Sequence, residues 1–537
     1  MEYDLIVRGG MLVDGTGLPR RRVDVGVKDG RIARIARLDD ATAREEIDAT
    51  GRIVAPGIVD AHTHYDPQIT FDPYATMSCF HGVTTVLAGN CGFSAAPVKA
   101  QDLEFLKGVF ARVEDMDLAA LGGVRWDQFE TFPEFMAYLG GKLGINFACY
   151  VGHSNLRRWV MGDAASERAA TAEELAEMRS MVAEAMQAGA AGRHGAGSIC
   201  FLPLGTTRGL TADDHEFIIE IGRRSGLPVI IQGLGARSKV DVPGTGWDDA
   251  VVSLDKAQAE GAPFYSMLIA RPFDRAVAFD DTNHHWRGAF GWHAMTRLPI
   301  EERRALLRDP ATREELRFGI ENSNRDPAKG TTLSPPQWPV VFIDVSPSMS
   351  PEEHQGKSIQ MLAEERQMAP GDFALDLALA DDFATKLRWR MDGPEWSDAV
   401  RKSQTDPRII IGTSDGGAHL AKDDQADWSS YFLARWVRED KVWTLEEGVR
   451  QITQMPADLL GFLDRGTLRV GAWADMMIFD EHEIGPVRKE FVRDLPGGAG
   501  RYKAYGKGVY ATIVNGQPIV LNGELTGRLP GVVVAPQ

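Results

Sequence analysis

The spacing of apolar and polar positions divides this chain into three stretches. Residues 3–56 hold short apolar runs joined by turns. "YDLIVRGGMLVDGTG" has two such runs around Gly9-Gly10, and "VDVGVKDGRIARI" alternates about Asp29-Gly30, a strong hairpin signal. The far end has the same character, with "ADMMIFD" followed by "GVYATIVNGQPIVLNGELTG" about Asn515-Gly516. Two β-rich segments at opposite ends predict one small sheet domain built from 1–56 and 463–537, with 57–462 inserted as a domain of its own.

Between the ends, strand-like apolar runs alternate with helical periodicity. The runs fall at 53–61, 83–89, 146–152, 189–192 leading on to 199, 228–233, 263–268, 339–345 and 408–414. Thr171 with Glu174 makes a capping box ahead of an apolar stripe through Leu175, Met178, Val182 and Ala185, which predicts a helix over 171–188. Thr444 and Glu447 repeat the box for a helix over 444–455. Eight strands with helices between them predict an α/β domain, a (β/α)8 TIM barrel, whose chemistry sits at the C-terminal strand ends. The stretch 270–338 is rich in Pro, Arg and aromatic residues and reads as a lid-like insertion. Its Trp286, Phe290, Trp292 and His293 are expected to shape the pocket or a subunit contact, and His284 and His285 to be solvated.

Composition narrows the class. The chain has 537 residues, 44% hydrophobic and 25% charged, as in an ordinary globular protein. A formal net charge of -17 argues against nucleic-acid and anionic-membrane partners, which are recruited through basic patches. No apolar run has membrane-spanning length, and "MEYDLIVRGG" lacks the basic and apolar regions of a secretory signal. Cys79, Cys91, Cys149 and Cys200 are too few for a disulfide framework, so a reducing, cytoplasmic location is expected. A homo-oligomer acting on a small molecule is the expected state.

Candidate donors follow several of the apolar runs. "IVAPGIVDAHTHYDPQ" ends in His62 and His64, which at strand spacing point to one side and aim two imidazoles at one place. Cys91 follows the second run in "LAGNCGFS", His153 the third in "VGHSNLR", and Asp415 the eighth in "GTSDGGAHL". Zinc accepts N, S and O donors together, and a carboxylate beside an activated water can take its proton and pass it to a leaving group. Each has a plainer reading. Cys91 could fill a core, Asp415 could form a turn, and His153 could be a hydrogen-bonded structural histidine. His419 reads as support behind the ligands or as a substrate contact.

The motifs "PGIVDAHTHYD", "HGVTTVLAGNCGFSAAPV", "VGHSNLR", "GTSDGGAHL", "DRGTLRVGAWADMMIFD" and "VNGQPIVLNGELTGRLPG" resemble the amidohydrolase superfamily, in particular its N-acyl-D-amino-acid deacylase branch, over nearly the whole chain. The resemblance implies a metal-bearing barrel with a β-sandwich. It implies that His62 and His64 are metal ligands, Cys91 a ligand where relatives carry a carboxylated lysine, and Asp415 both ligand and general acid/base. Two departures stand out. The branch usually supplies histidines from the fifth and sixth strands, where this chain reads "LPVIIQGLGAR" with Gln232 and "APFYSMLIARPF" with Ser266 or Met267. The segment "AGAAGRHGAGSICF", with Arg193 and His194, stands where a Ser/Thr-containing strand is usual. One tightly bound Zn(2+) per chain is therefore expected in place of two, with His153 or His194 as candidates to fill in.

The expected function is metal-dependent hydrolysis of a non-peptide C–N bond in an amide, N-acyl amino acid or cyclic amide. Lactone hydrolysis, deamination or decarboxylation on the same site is the alternative, and a catalytically degenerate scaffold the lesser one. His153, Arg157, His194, Gln232, Arg271 and His419 are the candidate substrate contacts, and Arg158 and Arg237 are further guanidinium groups able to hold a carboxylate. The substrate is expected to be carboxylate-bearing or aromatic.

Overall fold

The computed structural model describes residues 2–193, 196–202, 210–234, 246–279, 286, 289, 291–295, 297–322, 337–390, 392–423 and 425–537. His194, Arg237, His284, His285 and Phe290, singled out in the sequence, lie outside these, as does the side chain of His293.

Both termini contribute to a pair of sheets. Tyr3–Arg8, Asp24–Lys28, Arg31–Ala36 and Ala43–Asp48 form one sheet of four strands. The second, of seven, is mixed: Met11–Leu12, Arg21–Arg22 and Ile53–Pro56 come from the N-terminal segment, and Met476–Phe479, Val509–Val514, Gln517–Leu521 and Glu524–Leu525 from the C-terminal one. One apolar cluster joins them, with Leu5, Val7, Val27 and Ile32 packed among Met476, Ile478, Ala511 and Ile513. The turns are those the sequence signals. Asp29-Gly30 and Asn515-Gly516 all have positive φ, as two-residue hairpin loops require.

The apolar run that leads to the H-x-H pair is divided between two sheets. Ile53–Pro56 pairs with Met476–Phe479, and Ile58–Asp60 pairs in parallel with Val83–Ala88. Gly57 allows the crossing, because a Cβ there would lie 2.1 Å from the Thr84 hydroxyl oxygen.

Two parallel sheets follow. Ile58–Asp60, Val83–Ala88 and Asn146–Cys149 make the first; Ile199–Cys200, Val229–Gln232, Phe264–Leu268 and Ile409–Ile411 make the second. Their edges are bonded at both ends. The Ala61 N–H donates to the Gly412 carbonyl at 2.8 Å, the Ala191 N–H to Cys149 at 2.8 Å, and the Ser198 N–H to Ala191 at 3.2 Å. Most of these strands are buried at every position, as parallel strands covered by helices should be. The helix Ala172–Gln187 carries the Thr171–Glu174 capping box and buries Met178 and Ala185, whereas Leu175, expected in its apolar stripe, is exposed. Among the described residues no helix is long and apolar enough to cross a membrane.

Two strand expectations are corrected. The run 189–199 is not one strand. Gly192–Arg193 pairs antiparallel with Ala196–Gly197, and Ile199–Cys200 pairs separately with Val229–Gln232. The run 339–345 does not join the parallel strands. Val341–Val345 pairs antiparallel with Lys386–Arg390, which pairs with Asp274–Ala278. Asp344 and Val345 are exposed, so this strand buries one face only and suits an antiparallel sheet.

The insertion is correspondingly longer than 270–338, running from Asp274 to Arg390 around its own core. Trp286, Trp292, Trp338 and Phe279 stack there with Val341, Leu362 and Leu387. Trp286 and Trp292, expected to shape a pocket or a subunit contact, are instead interior residues of this subdomain.

Candidate metal centre

Three strand ends converge on one point. His62 and His64 follow Ile58–Asp60, Cys91 follows Val83–Ala88, and Asp415 follows Ile409–Ile411. Backbone bonds strap the first and last together, since the Asp415 N–H donates to the His62 carbonyl at 3.0 Å and the His64 N–H to that of Gly416 at 2.7 Å. Gly417 is required by this approach: its φ is +89° and a Cβ there would meet the His64 backbone at 2.8 Å. The Asn90 amide fixes the turn before Cys91 by donating to the Thr63 and Leu87 carbonyls at 3.1 and 3.0 Å. Cys91, Asp415 and His419 all adopt left-handed backbone, with φ of 56°, 63° and 53°. Such strain in non-glycine residues concentrates at functional sites.

The donor atoms are within ligand range of one another. Cys91 Sγ lies 3.6 Å from His62 Nε2 and 3.8 Å from His64 Nε2. Asp415 Oδ1 is 3.2 Å from His64 Nε2 and 4.0 Å from His62 Nε2. A tetrahedron built on ordinary zinc bond lengths has N–S edges of about 3.6 Å and N–O edges of about 3.4 Å. The N–S edges and the shorter N–O edge are those of a zinc-type site, and His64, Glu114 and Asp415 make a second group of donors within 4.8 Å of one another.

Burial dominates the electrostatics of the site. Burial and the neighbouring His64 push His62 down to about 3, so it stays a neutral imidazole with a free lone pair. Burial pushes the Cys91 thiol up to about 11, against the pull of His64. Burial also acts against charge on His64 and Asp415. The carboxylates and thiol around His64 nonetheless raise it, and the His64 hydrogen bond holds Asp415 below the usual carboxylate range. Glu114, pushed up to about 7 by burial, and Asp115 add further acidity beside them.

The remaining sequence candidates are distributed differently. His419 is brought in: its Nδ1 is hydrogen-bonded to Asp115 at 2.7 Å, and its Nε2 lies 3.7 Å from Asp415 Oδ2. Gln232 ends its strand half-buried. Ser266 donates to the Leu234 carbonyl, and Met267 is packed in an apolar cluster, so neither replaces a histidine. His153 opens the helix His153–Met161 and is exposed. Two arginines correct the expectation of carboxylate binding. Arg157 donates to the Ala165 and Arg168 carbonyls, and Arg271 is buried in an ion-paired cluster with Asp423 and Asp427. Arg158 is likewise paired, with Asp102 and Asp163.

Three residues of the site went unnoticed in the sequence. Glu114 and Asp115 follow the helix Leu103–Val113. Arg275, on the insertion strand Asp274–Ala278, places a guanidinium nitrogen 3.5 Å from Asp415 Oδ2. The adjacent acids in "VEDMD" were the available signal for the first two; Arg275 had none beyond its charge. A partly open cavity lies beside Phe93, whose ring stacks on His64 with centroids 6.3 Å apart, and is lined by Val98, Phe105, Leu106 and Trp159.

Known proteins are similar to this chain over nearly its whole length. The sequence model of a family described as "Amidohydrolase family" matches residues 45–198 and 358–520. The chain is 30% identical over 540 residues to D-aminoacylase of Alcaligenes xylosoxydans xylosoxydans, covering 99% of this chain and 98% of the relative. It is 31% identical over 490 residues to N-acyl-D-glutamate deacylase of the same organism, covering 90% and 88%. Among solved structures it is similar to N-acyl-D-glutamate deacylase of Bordetella bronchiseptica complexed with zinc and a phosphonate inhibitor, with a TM-score of 0.64, 25% identity and coverage of 99% and 100%. It also shares the fold of a D-aminoacylase, at a TM-score of 0.63 and 22% identity over 99% and 100% of the two chains.

Proposed function

The chain belongs to the amidohydrolase family and is a hydrolase of carbon–nitrogen bonds other than peptide bonds; from that premise we propose that it cleaves the amide of an N-acyl-D-amino acid at a one-ion metal centre. The observation that carries this reading is that Cys91 Sγ, at 3.6 and 3.8 Å, and Asp415 Oδ1, at 4.0 and 3.2 Å, both approach the Nε2 atoms of His62 and His64. The names of the relatives support the substrate class. Ser266 and Met267, turned to other partners, support a single ion, for which zinc suits the mixed donors.

The parallel strands, with 190–193 as an eighth segment, fit a closed (β/α)8 barrel flanked by a terminal β-sandwich. The site then lies at the C-terminal strand ends, where such barrels carry their chemistry. Four unpaired thiols support a reducing, cytoplasmic setting.

Bound at these donors, a divalent ion supplies Lewis acidity toward the scissile carbonyl and lowers the pKa of water. The protein's own residues do the rest. Asp415 turns Oδ1 toward the histidine pair and Oδ2 toward Arg275 and His419. It takes a proton from the attacking water and delivers it to the leaving nitrogen, so that the C–N bond breaks to give a carboxylate and an amine. Arg275 is the guanidinium placed to face a substrate carboxylate, and the cavity beside Phe93 suits an apolar acyl group.

The test combines metal analysis with a panel of N-acyl-D- and N-acyl-L-amino acids, cyclic amides and lactones. Wild type is expected to carry one zinc-type ion and to hydrolyse an N-acyl-D-amino acid, with Asp415→Asn slower by about 10²- to 10⁴-fold. Equal turnover by both proteins on every active substrate, or a wild type with no transition metal, would refute the mechanism.

A further inference from the structure

Behind the donor cluster lies a carboxylate that the ligand set leaves unused. Glu114 caps the C-terminus of the helix Leu103–Val113, and its side chain is 3% exposed. Its Oε1 lies 3.5 Å from His64 Nδ1, and its Oε2 3.9 Å from His419 Nε2. Both His64 Nδ1 and Glu114 Oε1 are buried without a hydrogen bond. A buried donor left unpaired beside a buried acceptor is costly, and nearly all such groups in proteins are satisfied.

The chemistry of ligation says how this pair is used. His64 offers Nε2 to the cluster, where it faces Cys91 Sγ at 3.8 Å and Asp415 Oδ1 at 3.2 Å. A neutral imidazole that ligates through Nε2 keeps its proton on Nδ1, and that proton needs an acceptor. Glu114 Oε1 is the acceptor in reach.

The backbone that carries this carboxylate is tied to the His419 loop. The His419 N–H donates to the Glu114 carbonyl at 2.6 Å. Asp115, in left-handed backbone at φ 52°, pairs with His419 Nδ1 at 2.7 Å and with Lys422 Nζ at 3.3 Å. The pair 114–115 is thus pinned to the loop that carries Asp415, and a shift of either segment moves two ligands at once.

We propose that Glu114 is a positioning residue of the metal centre. Its carboxylate receives the Nδ1–H of His64, fixes the tautomer that frees Nε2, and sets the ring plane toward the ion. The inference rests on the proposed ligand set of His62, His64, Cys91 and Asp415. Where Gln232, Ser266 and Met267 stand in place of further histidines, orientation of the ligands that remain carries more of the affinity.

The experiment titrates metal-free protein with cobalt(II), followed by visible absorption, then displaces the cobalt with zinc against a chelator of known affinity. Wild type, Glu114→Gln, Glu114→Ala and His62→Ala are compared, with the melting temperature of each metal-free protein recorded. Glu114→Ala is expected to weaken metal binding by about 10- to 100-fold and to alter the cobalt spectrum. Glu114→Gln keeps an acceptor without the charge and is expected to lose less. It also decides the question if the alanine variant does not fold. Affinities within about threefold of wild type for both variants, with superimposable spectra, overturn this inference alone while His62→Ala still loses the metal. A wild type that binds no cobalt overturns the ligand set and this inference together.

Discussion

The ends of the parallel strands divide into two halves built on different plans. On one side, the strand ends at Asp60, Ala88 and Ile411 lead into His62, His64, Cys91 and Asp415, three turns with two residues in left-handed backbone and four convergent donors. On the other, Val229–Gln232 and Phe264–Leu268 lead into Gln232, Ser266 and Met267, none of them a strong ligand for zinc. What the second half adds is charge carried by the chain itself. Arg271 and Arg275 lie four residues apart after the strand Phe264–Leu268, the first buried among carboxylates and the second reaching back to Asp415. The candidate donors therefore gather at the ends of some strands, while other strand ends turn to framework and to guanidinium groups.

That contrast is open to attack first at Arg271. Its guanidinium lies 3.2 Å from Asp423 and 2.5 Å from Asp427, and Lys489 from the terminal hairpin also meets Asp423. All four side chains are buried or nearly so. Removing one partner leaves buried carboxylates uncompensated, so Arg271→Leu is expected to cost about 3–5 kcal/mol of stability. Denaturant unfolding measures this. The folded fraction should keep its metal and its KM, because Arg271 belongs to the frame; a raised KM with unchanged stability would return it to the substrate site.

Arg275 should behave in the opposite way. Its guanidinium, 13% exposed, faces Asp415 Oδ2 and stacks over Phe273 at 4.5 Å. With Arg275→Gln, KM for carboxylate-bearing substrates is expected to rise about tenfold, near the 1.5–3 kcal/mol of a charge-assisted hydrogen bond, with one ion retained. Substrates lacking the carboxylate provide the control. An equal change for both classes would show that Arg275 acts through Asp415 alone.

The two halves also differ in how far they could be read from the residues. His62 and His64 stand out because strand periodicity puts alternate residues on one side just where an apolar run ends, and Asp415 ends a run in the same way. Cys91 needed the strand frame as well, since an isolated cysteine is most often core. The terminal hairpins were legible through Asp29-Gly30 and Asn515-Gly516. The donor-poor half was not. The Gly-rich stretch 189–199 hides a hairpin, and "VVFIDV" has the apolar content of a barrel strand, though it pairs antiparallel with Lys386–Arg390 of the insertion, a partner that only the fold reveals. Glu114, Asp115 and Arg275 arrive from a helix end and an insertion. Their approach to Asp415 is a product of tertiary packing that no local period records.

The smallest expected effect lies outside both halves, on the terminal hairpin Gly485–Val492 and Arg501–Lys507. Asp494, in the loop that joins its strands, is partly buried, which works against its charge. Its bonds to Arg501 at 2.8 Å and Lys503 at 2.6 Å nevertheless hold its carboxyl down at about 2. A carboxylate depressed on folding contributes stability that is fully present above its unfolded value, near 3.9, and is lost as pH falls through the folded one. Asp494→Asn should therefore lower stability slightly at neutral pH, by less than about 1 kcal/mol, because Asp494 is one-third exposed and screened by solvent. The gap between the two proteins should hold from pH 7 down to about 4 and close between about 4 and 2. Thermal unfolding across that range measures it, with KM and metal content at pH 7 as the internal standard. A change in either would mean that the hairpin, which already sends Lys489 to Asp423, belongs to the framework half.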